Sequence, residues 1–207
     1  MVSKLKSGHC PAALLPLLAV LAFPAEAGAH TAMEGSNHFT GGVLHPVLTP
    51  AHVLILLGLG VSLGQHVPLR TGVLLRVFAP LAAIALGLTA TGWIASVHPA
   101  VLAVIALCAG AVVALGKEPP PFVRGALFAA GALAIGLDSG VETGGAATVI
   151  TTLLGTWIGL LLFLFSIAYY ASLAAERKRK WMDIGLRVAG SWIIAISLLM
   201  LAFALRK

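Results

Sequence analysis

Six apolar stretches follow one another along this chain, at about residues 41–64, 72–97, 99–116, 122–138, 146–174 and 182–205, with short links between them. Each approaches or exceeds the roughly 17 to 25 residues that an α-helix needs to cross a bilayer. A soluble domain is typically about 45 to 50% apolar and about 25% charged. This chain of 207 residues is 59% apolar and 10% charged, with a mean hydropathy of +1.03. In hydrocarbon every backbone polar group must be satisfied within the protein, which leaves helices or closed barrels. Runs of this length without strand alternation predict an all-α integral membrane protein, a six-helix transmembrane bundle.

The start of the chain reads as a secretory signal over residues 1–29. Lys4 and Lys6 precede an apolar core at residues 12–23, and Ala25-Glu26-Ala27 or Ala27-Gly28-Ala29 provides a small-residue cleavage site. Cleavage after Ala29 makes His30 the mature N-terminus and leaves residues 30–207 as the membrane domain; the alternative reading keeps the leader as an anchor helix. Arg70, Arg76, Lys117, Arg124, the basic run at 177–180 and Arg187 fall on one side of the six-span count, while the links around His98 and at 138–145 hold no Lys or Arg. The positive-inside rule puts the basic side in the cytoplasm and the mature N-terminus, His98, Asp138 and Glu142 outside; only Arg206 and Lys207 depart from it. The net charge of +6 and pI near 9.8 therefore reflect membrane orientation and not nucleic-acid binding. Cys10 and Cys108 cannot make a disulfide framework, since cleavage removes one of them.

One stretch carries candidate chemistry. His45 and His52 lie seven residues apart within the first apolar run, with Pro46 and Pro50 among the same turns. Ionisable side chains inside a membrane mark functional sites by default. Seven helical residues return to the same face but rise about 10.5 Å, too far for both imidazoles to reach one ion from a regular helix. The prolines remove backbone donors to Gly42 and Pro46, so an irregular turn between the histidines is expected. Imidazole suits nickel, copper, zinc and iron. Asp138 and Glu142, four residues apart at the outer end of the fourth span, are candidate carboxylate contributors, and the polar tail with His30, Glu34 and His38 can hand a cation inward. Small residues four apart at Gly60/Gly64, Gly136/Gly140/Gly144 and Gly155/Gly159 suit close helix approach. No nucleophile with a paired base, phosphate-cradling loop or CxxC is present, so the chain does not read as an enzyme.

The segment GGVLHPVLTPAHVLILLGLGVSLGQ, following a leader that ends in Ala-His-Thr and opening six spans, resembles the HupE/UreJ family of bacterial membrane proteins associated with hydrogenase and urease. The family's first span carries H-P-x-x-G-x-D-H; His45, Pro46 and His52 match it, while Thr49 stands for the glycine and Ala51 for the aspartate. The family's fourth span carries a pattern close to H-G-x-A-H-G-x-E, of which the stretch at 131–140 keeps an acid, Asp138. The resemblance implies a bacterial inner-membrane permease or accessory protein for a divalent transition metal, nickel foremost, with the ion as substrate and no organic cofactor. It further implies partners among membrane lipid, a second copy of the chain, or a protein of metalloenzyme maturation. Fewer ligands than the family pattern imply weaker binding or a different metal. Two other readings stand beside it: a haem-anchoring electron-transfer subunit with His98 opposing His45, and a non-transporting assembly partner that has lost the metal site.

Overall fold

The computed structural model describes residues 37–92, 96–140 and 145–206, and among these every regular element is helical. The chain divides into two units, Met1–Glu34 and Gly35–Lys207, and the described residues all belong to the second. The expected signal at residues 1–29 lies outside them.

The first helix, α1, spans His38–Leu48 and is capped by Asn37, whose side-chain oxygen accepts from the Thr40 backbone N–H at 2.8 Å and from its hydroxyl at 2.6 Å. It stops at Thr49, which is extended at φ −98° and ψ 109°. A residue before proline is pushed out of the α region by the ring, and Pro50 opens the next helix, α2, over Pro50–Gly64. The two helices are bent by 74° at this single residue. α2 is the centre of the structure. Twelve of its 15 residues are buried, Ile55 and Leu59 completely, as expected of a helix that is apolar all round.

A π-helical turn, Leu74–Phe78, leads into α3, Ala79–Thr89. Pro80 lacks the N–H that would close the ordinary turn onto Arg76, and the widened turn is the local response. The sequence predicts this helix over 72–97; it ends at Thr89, and Gly92, at φ 69°, carries the turn beyond it. His98 accepts from the Ala100 N–H through Nδ1 at 3.2 Å and caps α4, Pro99–Leu115, which closes on left-handed Gly116 at φ 64°. Three prolines end the following link, and α5 runs Pro121–Asp138. α6, Ala146–Glu176, has 31 residues, and α7 covers Lys180–Ala204.

Helices approach where side chains are smallest. A Cβ on Gly42 would collide with the Thr152 carbonyl, one on Gly155 with the Phe39 carbonyl and one on Gly159 with the Val43 carbonyl, so α1 lies backbone to backbone on α6. α4 and α7 meet likewise through Gly110 and Gly190. Of the other small-residue positions, Gly136 packs against Ala85, whereas Gly140 faces open space. The outer surface is apolar: Leu75, Ile150, Leu162, Tyr170, Trp192 and Phe203 are all more than half exposed. Among the described residues three helices, α5, α6 and α7, are long and apolar enough to cross a membrane, the bent α1–α2 pair makes a fourth such unit, and the π turn with α3, and α4, are shorter apolar helices.

Candidate metal site at a broken helix

The break at Thr49 decides where the histidines go. His45 sits in the last turn of α1 and His52 in the first turn of α2. The bend folds the first turn back toward the second, and the two rings meet edge to face, with centroids 5.7 Å apart and planes at 65°. The Thr49 hydroxyl donates to the His45 carbonyl at 3.2 Å, so the side chain of the break residue takes one of the acceptors that the broken helix releases.

His52 is fully buried, and its Nε2 lies 2.9 Å from Oδ2 of Asp138, the last residue of α5, whose side chain is 17% exposed. An ionised carboxylate only accepts hydrogen bonds, so Nε2–H donates to Asp138. In neutral imidazole the other nitrogen then carries a lone pair. That atom, Nδ1, is buried and has no hydrogen-bond partner among the described residues. A carboxylate behind one ring nitrogen and an open lone pair at the other is the arrangement by which outer-shell carboxylates orient metal-binding histidines and raise their basicity. Ser139, 3% exposed, donates to the Ile135 carbonyl at 2.7 Å and satisfies the end of α5 beside Asp138.

An ion roughly 2.0 to 2.1 Å from one nitrogen of each ring needs ring centroids on the order of 5 to 6.5 Å apart, which the 5.7 Å separation of His45 and His52 meets. Among the described residues there is no group of three or more His, Cys, Asp or Glu side chains arranged to hold an ion. Of the other residues singled out in the sequence, His38 is exposed at the start of α1, and His30 and Glu142 lie outside the described residues. His98 is exposed and serves as the cap of α4. Ala51, where the family pattern has aspartate, is buried beside His52 at 8% exposure. Sequence reasoning missed Thr49 as a partner of the His45 carbonyl, although a hydroxyl four residues on and before a proline signals it. It also missed Trp157, whose Nε1–H donates to the Ala79 carbonyl at 2.9 Å where α3 follows the π turn; no local pattern marks that contact.

Apolar helices with large exposed apolar side chains, packed around a largely buried imidazole–carboxylate pair at a broken helix, define a helical membrane protein with an internal polar site. The chain belongs to the HupE / UreJ protein family, whose model matches residues 18–200. That family is linked to nickel or cobalt transport or to accessory roles and is not a catalytic one. No curated protein and no solved structure matches the chain.

Proposed function

We propose that the chain is an inner-membrane permease or accessory protein for a divalent transition metal, nickel foremost by its family, with His45 and His52 as ligands and Asp138 orienting His52. The observation that carries this reading is the approach of two imidazoles to 5.7 Å across the 74° break, with a buried Nδ1 open on His52. A site with two imidazoles and few further donors suits an ion that is passed on, since a resident structural metal takes a full protein shell. Six crossings, a cleaved leader and a periplasmic mature N-terminus complete the proposal; the distribution of Lys and Arg supports them. His30, His38 and Glu142 then act at the outer mouth, and a second copy or a maturation protein is the natural partner.

The test compares nickel binding and nickel uptake in the parent chain, His45→Ala, His52→Ala and Ala51→Asp. Loss of either imidazole lowers affinity about 10 to 100-fold, and Ala51→Asp, which restores the family carboxylate, raises it. Equal behaviour in all four proteins would reduce the histidines to packing residues. A second reading, an assembly partner without transport, is favoured by Ala51 and by the absence of a three-ligand group among the described residues. It is distinguished by binding without uptake in the Ala51→Asp protein.

A further inference from the structure

At the end of α2 opposite His52, two links and the first turn of α5 meet at one carboxylate. Glu118, in the link between α4 and α5, accepts at Oε1 from Arg70 Nη1 at 2.9 Å and from Arg124 Nη2 at 2.6 Å. Arg70 comes from the link after α2 and Arg124 from the first turn of α5. Arg124 Nη2 also donates to the Pro119 carbonyl at 3.2 Å, so it grips both the backbone and the side chain of the link. Pro119, Pro120 and Pro121 stiffen that link. The three charged residues line a small cleft together with Ser62, Leu63 and His66. Ser62 is 8% exposed and lies ten residues beyond His52, about 15 Å along the same helix.

We propose that Glu118, held by Arg70 and Arg124, is a latch that keeps this end of α2 closed, and that its release opens the Ser62–His66 cleft as the second mouth of the metal path. The proposal rests on the metal-path reading of His45 and His52 for its purpose, not for its geometry. Two guanidinium groups share one carboxylate oxygen, so the link that carries Glu118 is tied at once to the link after α2 and to the start of α5. The latch is partly solvated, with side-chain exposures of 63% for Arg70, 41% for Glu118 and 16% for Arg124. Exposed ion pairs are weak, and a closure that must reopen on each passage has to be weak. The hydrogen bond from Arg124 is the main reason that the Glu118 carboxyl is held below its ordinary range. Partial burial opposes this, and the charges of Arg70, Arg124 and His66 add to it. The latch therefore remains charged throughout the physiological pH range.

The test needs no metal. In the full-length chain carrying Cys10→Ser, Cys108→Ser and Ser62→Cys, purified in detergent, the rate of modification by a small uncharged methanethiosulfonate reagent reports opening of the cleft. Glu118→Gln, which removes both ion pairs, should raise the rate about twofold to thirtyfold, the scale of two exposed ion pairs. Glu176→Gln, outside the network, should leave it unchanged, and the exchange Glu118→Arg with Arg124→Glu should bring it back toward the parent value. If Ser62→Cys does not fold, His66→Cys at the rim of the same cleft provides the comparison. Equal rates with and without Glu118→Gln overturn the latch. Because this readout contains no metal, failure of the histidine variants to change nickel binding would sink the metal reading and leave the latch result standing.

Discussion

His52 has two ring nitrogens in a buried setting, and each has a different fate. Nε2–H is taken by Asp138 at 2.9 Å; Nδ1 is left open. Asp138→Ala would strip the acceptor and leave a buried donor unpaired, at a cost of about 1 to 3 kcal/mol. It should also lower nickel affinity about 10 to 100-fold, because the ring loses its orientation. Asp138→Asn keeps an acceptor oxygen and should lose clearly less of both. Thermal unfolding in detergent and equilibrium nickel binding measure the two effects, and an Asn variant as damaged as the Ala variant would argue against an orienting role. The pairing of His45 with His52 was legible in the sequence because it depends on spacing and prolines within eight positions. The Asp138 contact was only half legible. Counting spans brings Asp138 to the same side, but which imidazole nitrogen it meets depends on the rotation of α5 against α2 across 86 positions.

At the scale of elements, the break at Thr49 is a balance between two local preferences and the packing around them. Leu, Ala and Val on both sides would carry a helix through, while Pro50 removes one donor and pushes Thr49 into extended backbone. Pro50→Ala removes both obstacles. It should straighten the bend, draw the imidazoles apart toward the roughly 10.5 Å rise of seven helical residues, and weaken nickel binding at least about tenfold on the scale of losing a ligand. Spin labels on α1 and α2 report the angle directly; a bend that persists with unchanged binding would mean that the α1–α6 contact, and not the proline, sets it. That contact was foreshadowed by Gly155 and Gly159, whose spacing marks a close approach without naming the partner. The π turn at 74–78 and the end of α3 at Thr89 were not legible. Hydropathy through this region is continuous, and the helix stops on turn geometry at Gly92, not on polarity.

At the scale of the whole molecule, orientation is the property on which the proposed function depends, since under that reading it fixes which side supplies the ion. Reporter fusions after Lys180 and within residues 140–145 should report opposite sides of the membrane, the first cytoplasmic; one location for both would undo the six-crossing topology. The charge asymmetry is legible because it is a sum over links, insensitive to where any helix begins or ends. Helix lengths carry a different kind of information. α6, with 31 residues, is about 46 Å long and α4, with 17, about 26 Å, against a hydrocarbon core of roughly 30 Å. No single bilayer thickness suits both. In the proposed six-crossing arrangement the long helix would accommodate by tilting or by projecting beyond the hydrocarbon, and the short one by thinning the bilayer beside it. That arrangement predicts sensitivity to hydrophobic mismatch: the acyl-chain length of the surrounding lipid would bias the tilt of α6, and with it the seat on which α1 and His45 rest.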